Sequence, residues 1–315
     1  MNTLRQRLIG AILCLALLAL ALGVVPAHVA DGSPAAVLAR VLDSLAPQLL
    51  VGALALAVVA AVLGAWRAGM LAAMVTLAFA GWFGVAHLQR ALPLAPAAEP
   101  VARVLFFNTL ATNDANADRI AAAIEASDAD VVALAESAAV RSALPRLRKT
   151  YPHVLGCERG CAVTVLSKRP FVGEPSAQPP AQWEGRLRQV QVDLGGGEAL
   201  TLVALQAAKP WTLAPAERGA TALQSLLHDI AGPVLVAGDF NAAPWARPMR
   251  ALLDDTGLRA ARLPLPTWPV GSGWAGVPID NFLVRGGARL VSLHRFGRGL
   301  GSNHLGLVAE VALGG

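Results

Sequence analysis

The sequence predicts a mixed α/β sandwich carried on a membrane anchor. Three observations lead there. Residues 1–90 are dominated by three apolar stretches without a polar face, each close to the roughly 20 residues needed to cross a bilayer. A Pro/Ala-rich linker follows at 91–100, Ala-Leu-Pro-Leu-Ala-Pro-Ala-Ala-Glu-Pro, and reads as extended chain. Residues 101–315 then alternate β-rich runs with amphipathic helical segments, the pattern of mixed sheets with helices on their faces.

The membrane helices are expected from about Leu8 to Val25, Leu49 to Trp66 and Ala68 to Leu88. Arg5 and Arg7 precede the first, and an Ala-His-Val-Ala stretch follows it, so a cleaved signal peptide competes with a first span. Arg67 falls in the expected turn between the second and third. The positive-inside rule puts all three arginines in the cytoplasm. Three crossings then leave the chain beyond residue 90 outside, as do two crossings if the first segment is removed; Arg90 argues mildly the other way. The expected location is the inner (cytoplasmic) membrane, with the folded domain facing the periplasm or exterior.

Hydrophobic residues make up 55% of the chain and mean hydropathy is +0.52. Five of the 26 basic and two of the 21 acidic residues lie in residues 1–94. The remainder, 21 basic and 19 acidic, is only +2, with no long basic run. That excludes the charge footprint of a general DNA binder, so no specific nucleic-acid partner is expected. Cys14 lies in the first apolar segment. Cys157 and Cys161 are the candidate disulfide pair in an oxidising compartment; two free thiols are the alternative, and without a nearby His they are poor zinc ligands.

Within the domain, the first strand is expected over Ala102 to Phe107. A helix over 114–126 has Ile120, Ala123 and Ile124 on one face and Asp114 or Asn116 as its cap. Strand Val131 to Ala135 and a basic helix over 141–149 come next. Ala162 to Ser167, Leu187 to Leu194 and Ala199 to Leu205 read as strands, the last two joined as a hairpin by Gly195-Gly196-Gly197. An amphipathic helix over 215–230, a strand from Val234 to Ala237 and a helix at about 246–255 follow. Strands near Ile279 to Val284 and Leu307 to Val311 end the series.

The most informative stretch is Val234-Leu235-Val236-Ala237-Gly238-Asp239-Phe240-Asn241. A buried strand ends in glycine and delivers Asp239 and Asn241 two residues apart. On extended backbone both face one spot, where the carboxylate accepts a proton and the amide donates to a phosphoryl oxygen. Other polar residues sit at strand ends too. Asn108 closes Val104–Phe107, Glu136 closes Val131–Ala135, Asp280 opens Ile279–Val284, and His304 precedes the last strand. His28, His87, His153, His228 and His294 lack such a context and read as structural.

In order and local sequence these elements resemble the endonuclease/exonuclease/phosphatase superfamily, in a membrane-anchored bacterial branch. The matching pieces are the strand ending in Asn108, the strand ending in Glu136, Gly238-Asp239-Phe240-Asn241, Ile279-Asp280 and Ser302-Asn303-His304. Leu166-Ser167-Lys168-Arg169-Pro170 and Thr267-Trp268-Pro269 also fit. The resemblance spans roughly residues 101–312 and implies a four-layer α/β sandwich, two mixed sheets flanked by helices. It implies that Glu136, helped by Asn108, holds a divalent cation, Mg²⁺ or alternatively Mn²⁺. Asp239 is then the base toward water, Asn241 and Asn108 position water or phosphate, and Asp280 orients and charges a His304 that contacts the phosphoryl group.

Three positions depart from the family pattern. Asn303 stands where Asp is usual before the final His. Gln206 stands where a His is common after the mid-domain strand, and Asn281 where a His is common after Ile-Asp. Gln206 and Asn303 are expected to touch substrate, but Gln206 supplies no proton near neutral pH. The expected function is a membrane-anchored, extracytoplasmic, metal-dependent phosphohydrolase acting on a phosphoester or pyrophosphate, lipid-linked by virtue of the anchor. The alternatives are an impaired module binding phosphorylated ligands or proteins, and a nuclease. Trp183, Trp211, Trp245, Trp268 and Trp274 are core residues by default and lipid contacts where exposed. Oligomeric state stays open.

Overall fold

The computed structural model describes residues 3–156, 162–173 and 181–314. Cys157 and Cys161 lie outside the described residues. The chain divides into two compact units: Met1–Gln89 with Trp245–Arg247, and Arg90–Pro244 with Pro248–Gly315.

The first unit holds α1 (Thr3–Val24), α2 (Ala36–Ser44), α3 (Ala46–Val62) and α4 (Trp66–Leu88). Two helical segments, Thr3–His28 and Trp66–Leu88, are long and apolar enough to cross a membrane; α2 and α3, bent by 73°, make a third if taken as one span. The expected second span therefore shifts toward the N-terminus. Gly64, at φ 110°, ends the helix after Val62, using a backbone conformation open to glycine. Arg67 consequently falls in the first turn of α4 rather than in the connection. Gly69 of α4 packs on α3 so closely that a Cβ there would lie 2.6 Å from the Ala57 carbonyl oxygen, the small-residue packing typical of apolar helices. Arg5 Nε and Nη2 donate to Leu63 O at 2.8 and 2.6 Å, covering a carbonyl that the end of α3 leaves free.

After α4 the chain forms β1 (Ala91–Leu92), β2 (Ala102–Asn108), α5 (Ala117–Ala126), β3 (Val131–Ala135), α6 (Leu144–Thr150), β4 (His153–Leu155) and β5 (Val163–Ser167). Then come β6 (Phe171–Val172), β7 (Leu187–Gly195), β8 (Glu198–Gln206), α7 (Leu213–His228), β9 (Val234–Asp239) and α8 (Arg247–Thr256). β10 (Arg259–Ala261), β11 (Asp280–Arg285), β12 (Ala288–Phe296) and β13 (Gly306–Leu313) complete the unit. Among the described residues one sheet runs β1-β10-β11-β9-β8-β7-β6 and the other β12-β13-β2-β3-β5-β4. The four-layer expectation is met: two mixed sheets face each other with helices outside.

Period-two alternation builds the layers. Val104 and Phe106 of β2 join Leu202 and Ala204 of β8, Leu235 and Ala237 of β9 and Phe282 of β11 in the core between the sheets. Leu105 and Phe107 turn the other way, onto Ile120 and Ile124 of α5 and Leu147 of α6. Strands buried on both faces read as continuous apolar runs, which is why β2, β3 and β9 are visible in sequence. β12 is not: a register shift between Leu290 and Ser292 breaks its alternation. The short β1, β4, β6 and β10 also add to the expected set.

Candidate active site

Register gathers the polar strand ends at one edge of both sheets. β2 and β3 are parallel, with Asn108 opposite Ala135, so Glu136 emerges beside Asn108. β8 and β9 are parallel, with Gln206 opposite Asp239. β11 runs antiparallel to β9 and pairs Asp280 with Asp239. β13 starts at Gly306, antiparallel to β2, so His304 arrives at the same edge.

Asp239 is buried, and its carboxylate is held from two sides. Asn108 Nδ2 donates to Oδ2 at 3.1 Å and the Asn241 backbone N–H to Oδ1 at 2.9 Å. Burial, and the Asp280 charge across the ladder, push its pKa up to about 7. Gly238 is required beside it: a Cβ there would lie 2.8 Å from the Leu205 carbonyl oxygen of the neighbouring strand.

Asp280 is fully buried. Its Oδ2 lies 2.9 Å from His304 Nδ1, its backbone N–H donates to Thr267 Oγ1 at 3.2 Å, and its Oδ1 has no partner. Burial works against charge on His304, but Asp280, Asp239 and Glu136 outweigh it and raise the imidazole pKa to about 9. His304 is therefore an imidazolium at neutral pH, with Nδ1–H on Asp280 and Nε2–H left for a ligand. Ser302 Oγ donates to Asn108 O at 2.7 Å and accepts from the His304 N–H at 3.0 Å, fastening the histidine loop to the end of β2.

Glu136 is half-buried, at φ 52°, a left-handed turn uncommon for a non-glycine residue. Thr109 Oγ1 pins the turn through the carbonyls of Ala135 and Glu136 at 3.1 and 2.9 Å. Burial opposes ionisation of Glu136, but the Ala111 N–H on Oε2 and Gln206 Nε2 on Oε1, both at 2.8 Å, with Asn108 Nδ2 at 3.5 Å, hold its pKa below the ordinary value.

Several expected roles change with this geometry. Asn241 does not lie on extended backbone: β9 ends at Asp239 and Asn241 adopts φ 51°. It reaches Asp239 through its backbone N–H, while its side-chain Nδ2 donates to Ala207 O at 3.0 Å. Asn108 presents its nitrogen to both carboxylates and takes the Leu110 N–H on Oδ1, so it positions acids rather than offering them an oxygen. Gln206 supports Glu136. Asn303 is exposed, and its backbone carbonyl accepts from Val270 N–H. Asn281 is buried, bonded to Pro278 O. Sequence reasoning misses Thr109, and it quotes Ser302 within Ser302-Asn303-His304 without its role, because neither hydroxyl carries a pattern of its own.

The endonuclease/exonuclease/phosphatase family model matches residues 104–304, more than half of the chain. The chain belongs to this family. The family's enzymes hydrolyse phosphoesters and generally use divalent metals. The domain resembles an endonuclease/exonuclease/phosphatase protein of Beutenbergia cavernae, at 21% identity and TM-score 0.53 over 68% of this chain and 72% of that one. It also resembles humanised D. rerio TDP2, at 17% identity and TM-score 0.53 over 67% and 98% of the two chains. Truncated Caenorhabditis elegans TDP2 is similar at 14% identity, TM-score 0.51, over 67% and 97%. These likenesses establish the fold. No curated protein matches the sequence.

The residues present fit a hard divalent cation. Glu136 is ionised and half-open, Asp239 and Asp280 each bring a carboxylate oxygen within 4.8 Å of the other and of a His304 ring nitrogen, and Asp280 Oδ1 is buried without a partner. Oxygen-rich sets of this kind suit Mg²⁺. An imidazolium does not ligate a cation, so His304 enters as a charge partner.

Proposed function

We propose that this family member is a membrane-anchored phosphohydrolase whose domain lies outside the cytoplasm, acting on a phosphoester or pyrophosphate, lipid-linked in the membrane that holds the anchor. The observation that carries the reading is the convergence of a base-like Asp239, a His304–Asp280 pair and an ionised Glu136 on one edge of the sandwich. Ionised Asp239 takes the proton of the attacking water, and its two donors fix the plane of its carboxylate. The water oxygen forms the new bond to phosphorus as the bond to the leaving oxygen breaks. His304 Nε2–H stabilises charge on the phosphoryl oxygens, where a preformed donor in a dry site counts most. Glu136 would hold a divalent cation, Mg²⁺ by its oxygen preference, which supplies Lewis-acid stabilisation when bound.

Anchoring supports a lipid-linked substrate because it confines enzyme and substrate to one surface. Arg5 contacting Leu63 O brings the N-terminus of α1 to the α3–α4 connection beside Arg67, so both charges share one end of the bundle, in keeping with the positive-inside argument. The test is phosphate release by the full chain in nanodiscs, with and without Mg²⁺, on a polyprenyl pyrophosphate, a phospholipid and bis-p-nitrophenyl phosphate. Turnover should need the cation and vanish in Asp239→Asn. Silence across the panel from folded protein moves the reading to a phospho-ligand binding module, which Gln206 and Asn303 in place of the usual His and Asp favour. Cleavage of plasmid DNA instead would mark a nuclease.

A further inference from the structure

One arginine at the site edge has no hydrogen-bond partner for two of its buried nitrogens. Arg295 pairs with Leu307 in the β12–β13 ladder, at the end of β13 that follows His304. Leu293 of β12 packs against the inter-sheet core, and Arg295, two residues on, shares that inner face. Its guanidinium carbon lies 4.7 Å from the centre of the Trp274 ring. Trp274 is 79% exposed, and its turn, Val270–Ala275, is tied to the histidine loop by Val270 N–H to Asn303 O at 3.0 Å.

Arg295 Nε and Nη2 are shielded from solvent yet make no hydrogen bond. Arg90, Arg146 and Arg169 each face a carboxylate; among the described residues Arg295 forms no such ion pair. Burial and the nearby charge of Arg298 push its pKa down, but a guanidinium stays charged at neutral pH. Two shielded donors with unmade hydrogen bonds are costly, even on a side chain that is only partly buried. Nε and Nη2 are closed to a ligand, but Nη1 is neither shielded nor bonded, so an oxyanion docking there, while the ring braces the guanidinium, offsets part of that cost.

The geometry points to a second anion subsite: Arg295, stacked on Trp274 with Arg298 alongside, receives a phosphate group of the substrate other than the one hydrolysed. The site would then favour pyrophosphate-type ligands over those with a single phosphate. Only the word substrate rests on the hydrolase reading above; the binding claim stands apart from turnover.

The experiment is calorimetric titration of the full chain in detergent and metal-free buffer with methylenebisphosphonate and with methylphosphonate. The bisphosphonate should bind about tenfold tighter or better, the worth of one charge-assisted hydrogen bond. Arg295→Gln should erase that preference, and Arg298→Gln, at an exposed position, should weaken it about threefold. Equal affinity for the two probes in the unmodified chain overturns the subsite, as does a preference that survives both variants. If Arg295→Gln melts early, Arg298→Gln decides alone. Absence of turnover on the phosphoester panel would sink the hydrolase reading and leave this binding result intact.

Discussion

Replacing Asp280 with asparagine should uncharge His304 at neutral pH. Asp280 lies 2.9 Å from Nδ1 and is fully buried, so its charge is poorly screened. The His304 pKa stands at about 9 against an ordinary 6.5, which is roughly 3 kcal/mol favouring the charged form. The Asp280→Asn side chain would keep a hydrogen-bond acceptor near Nδ1 but lose the charge. Burial then acts with less opposition, and although Asp239 and Glu136 remain, the pKa should fall to 6.5 or below.

The sign of the stability effect follows from linkage. A histidine whose folded pKa is raised contributes stability that is complete below the unfolded value and lost as pH rises through the folded one. The unmodified protein should therefore lose thermal stability between pH 6.5 and about 9, and Asp280→Asn should flatten that slope. The assay is NMR titration of the imidazole in metal-free protein, assigned by difference from His304→Gln, with melting curves across the same range. A variant pKa still above about 8 would refute the reasoning, because charge on His304 would then not depend on Asp280.

Gly238→Ala should destabilise the protein by about 1–3 kcal/mol, the usual cost of overpacking, because its Cβ meets the Leu205 carbonyl oxygen at 2.8 Å; an unchanged melting temperature would contradict it. Gln206→Ala removes a 2.8 Å donor from Glu136 and should weaken Mg²⁺ binding about tenfold, the scale of a lost supporting bond, as read by calorimetry. Ser302→Ala cuts the link between Asn108 O and His304 N and should cost about 1 kcal/mol while lowering kcat more than it raises KM. Equal loss in both would place Ser302 in binding instead.

Much of the domain is legible in sequence because its central strands are buried on both faces. β2, β3 and β9 are continuous apolar runs, and each ends abruptly in a polar residue that can be named before any register is known. Exposed or irregular strands carry no such mark. β12 holds Arg289, Ser292, His294 and Arg295 across a register shift, so neither alternation nor hydrophobicity exposes it, and the arginine it aims inward is hidden with it. The long apolar N-terminal helices are legible in kind, while Gly64 moves their boundaries.

Asn241 and Gln206 fail to yield their roles for a different reason. The i, i+2 rule applies only while the backbone stays extended, and Asn241 at φ 51° lies beyond that limit. Its contribution to Asp239 comes from a backbone N–H that any residue except proline possesses; the side chain matters for tolerating the left-handed turn and holding Ala207 O. Position by position, Gln206 reads as a weak replacement for a histidine. In the fold its amide donates to Glu136 Oε1 and helps keep that carboxylate ionised despite burial. A neutral donor at this place leaves the positive charge of the site to His304 and to any cation that Glu136 would hold. The substitution therefore bears on how tightly the acid end is held, and Gln206→Ala, read on cation affinity rather than on turnover alone, separates that role from a lost catalytic proton.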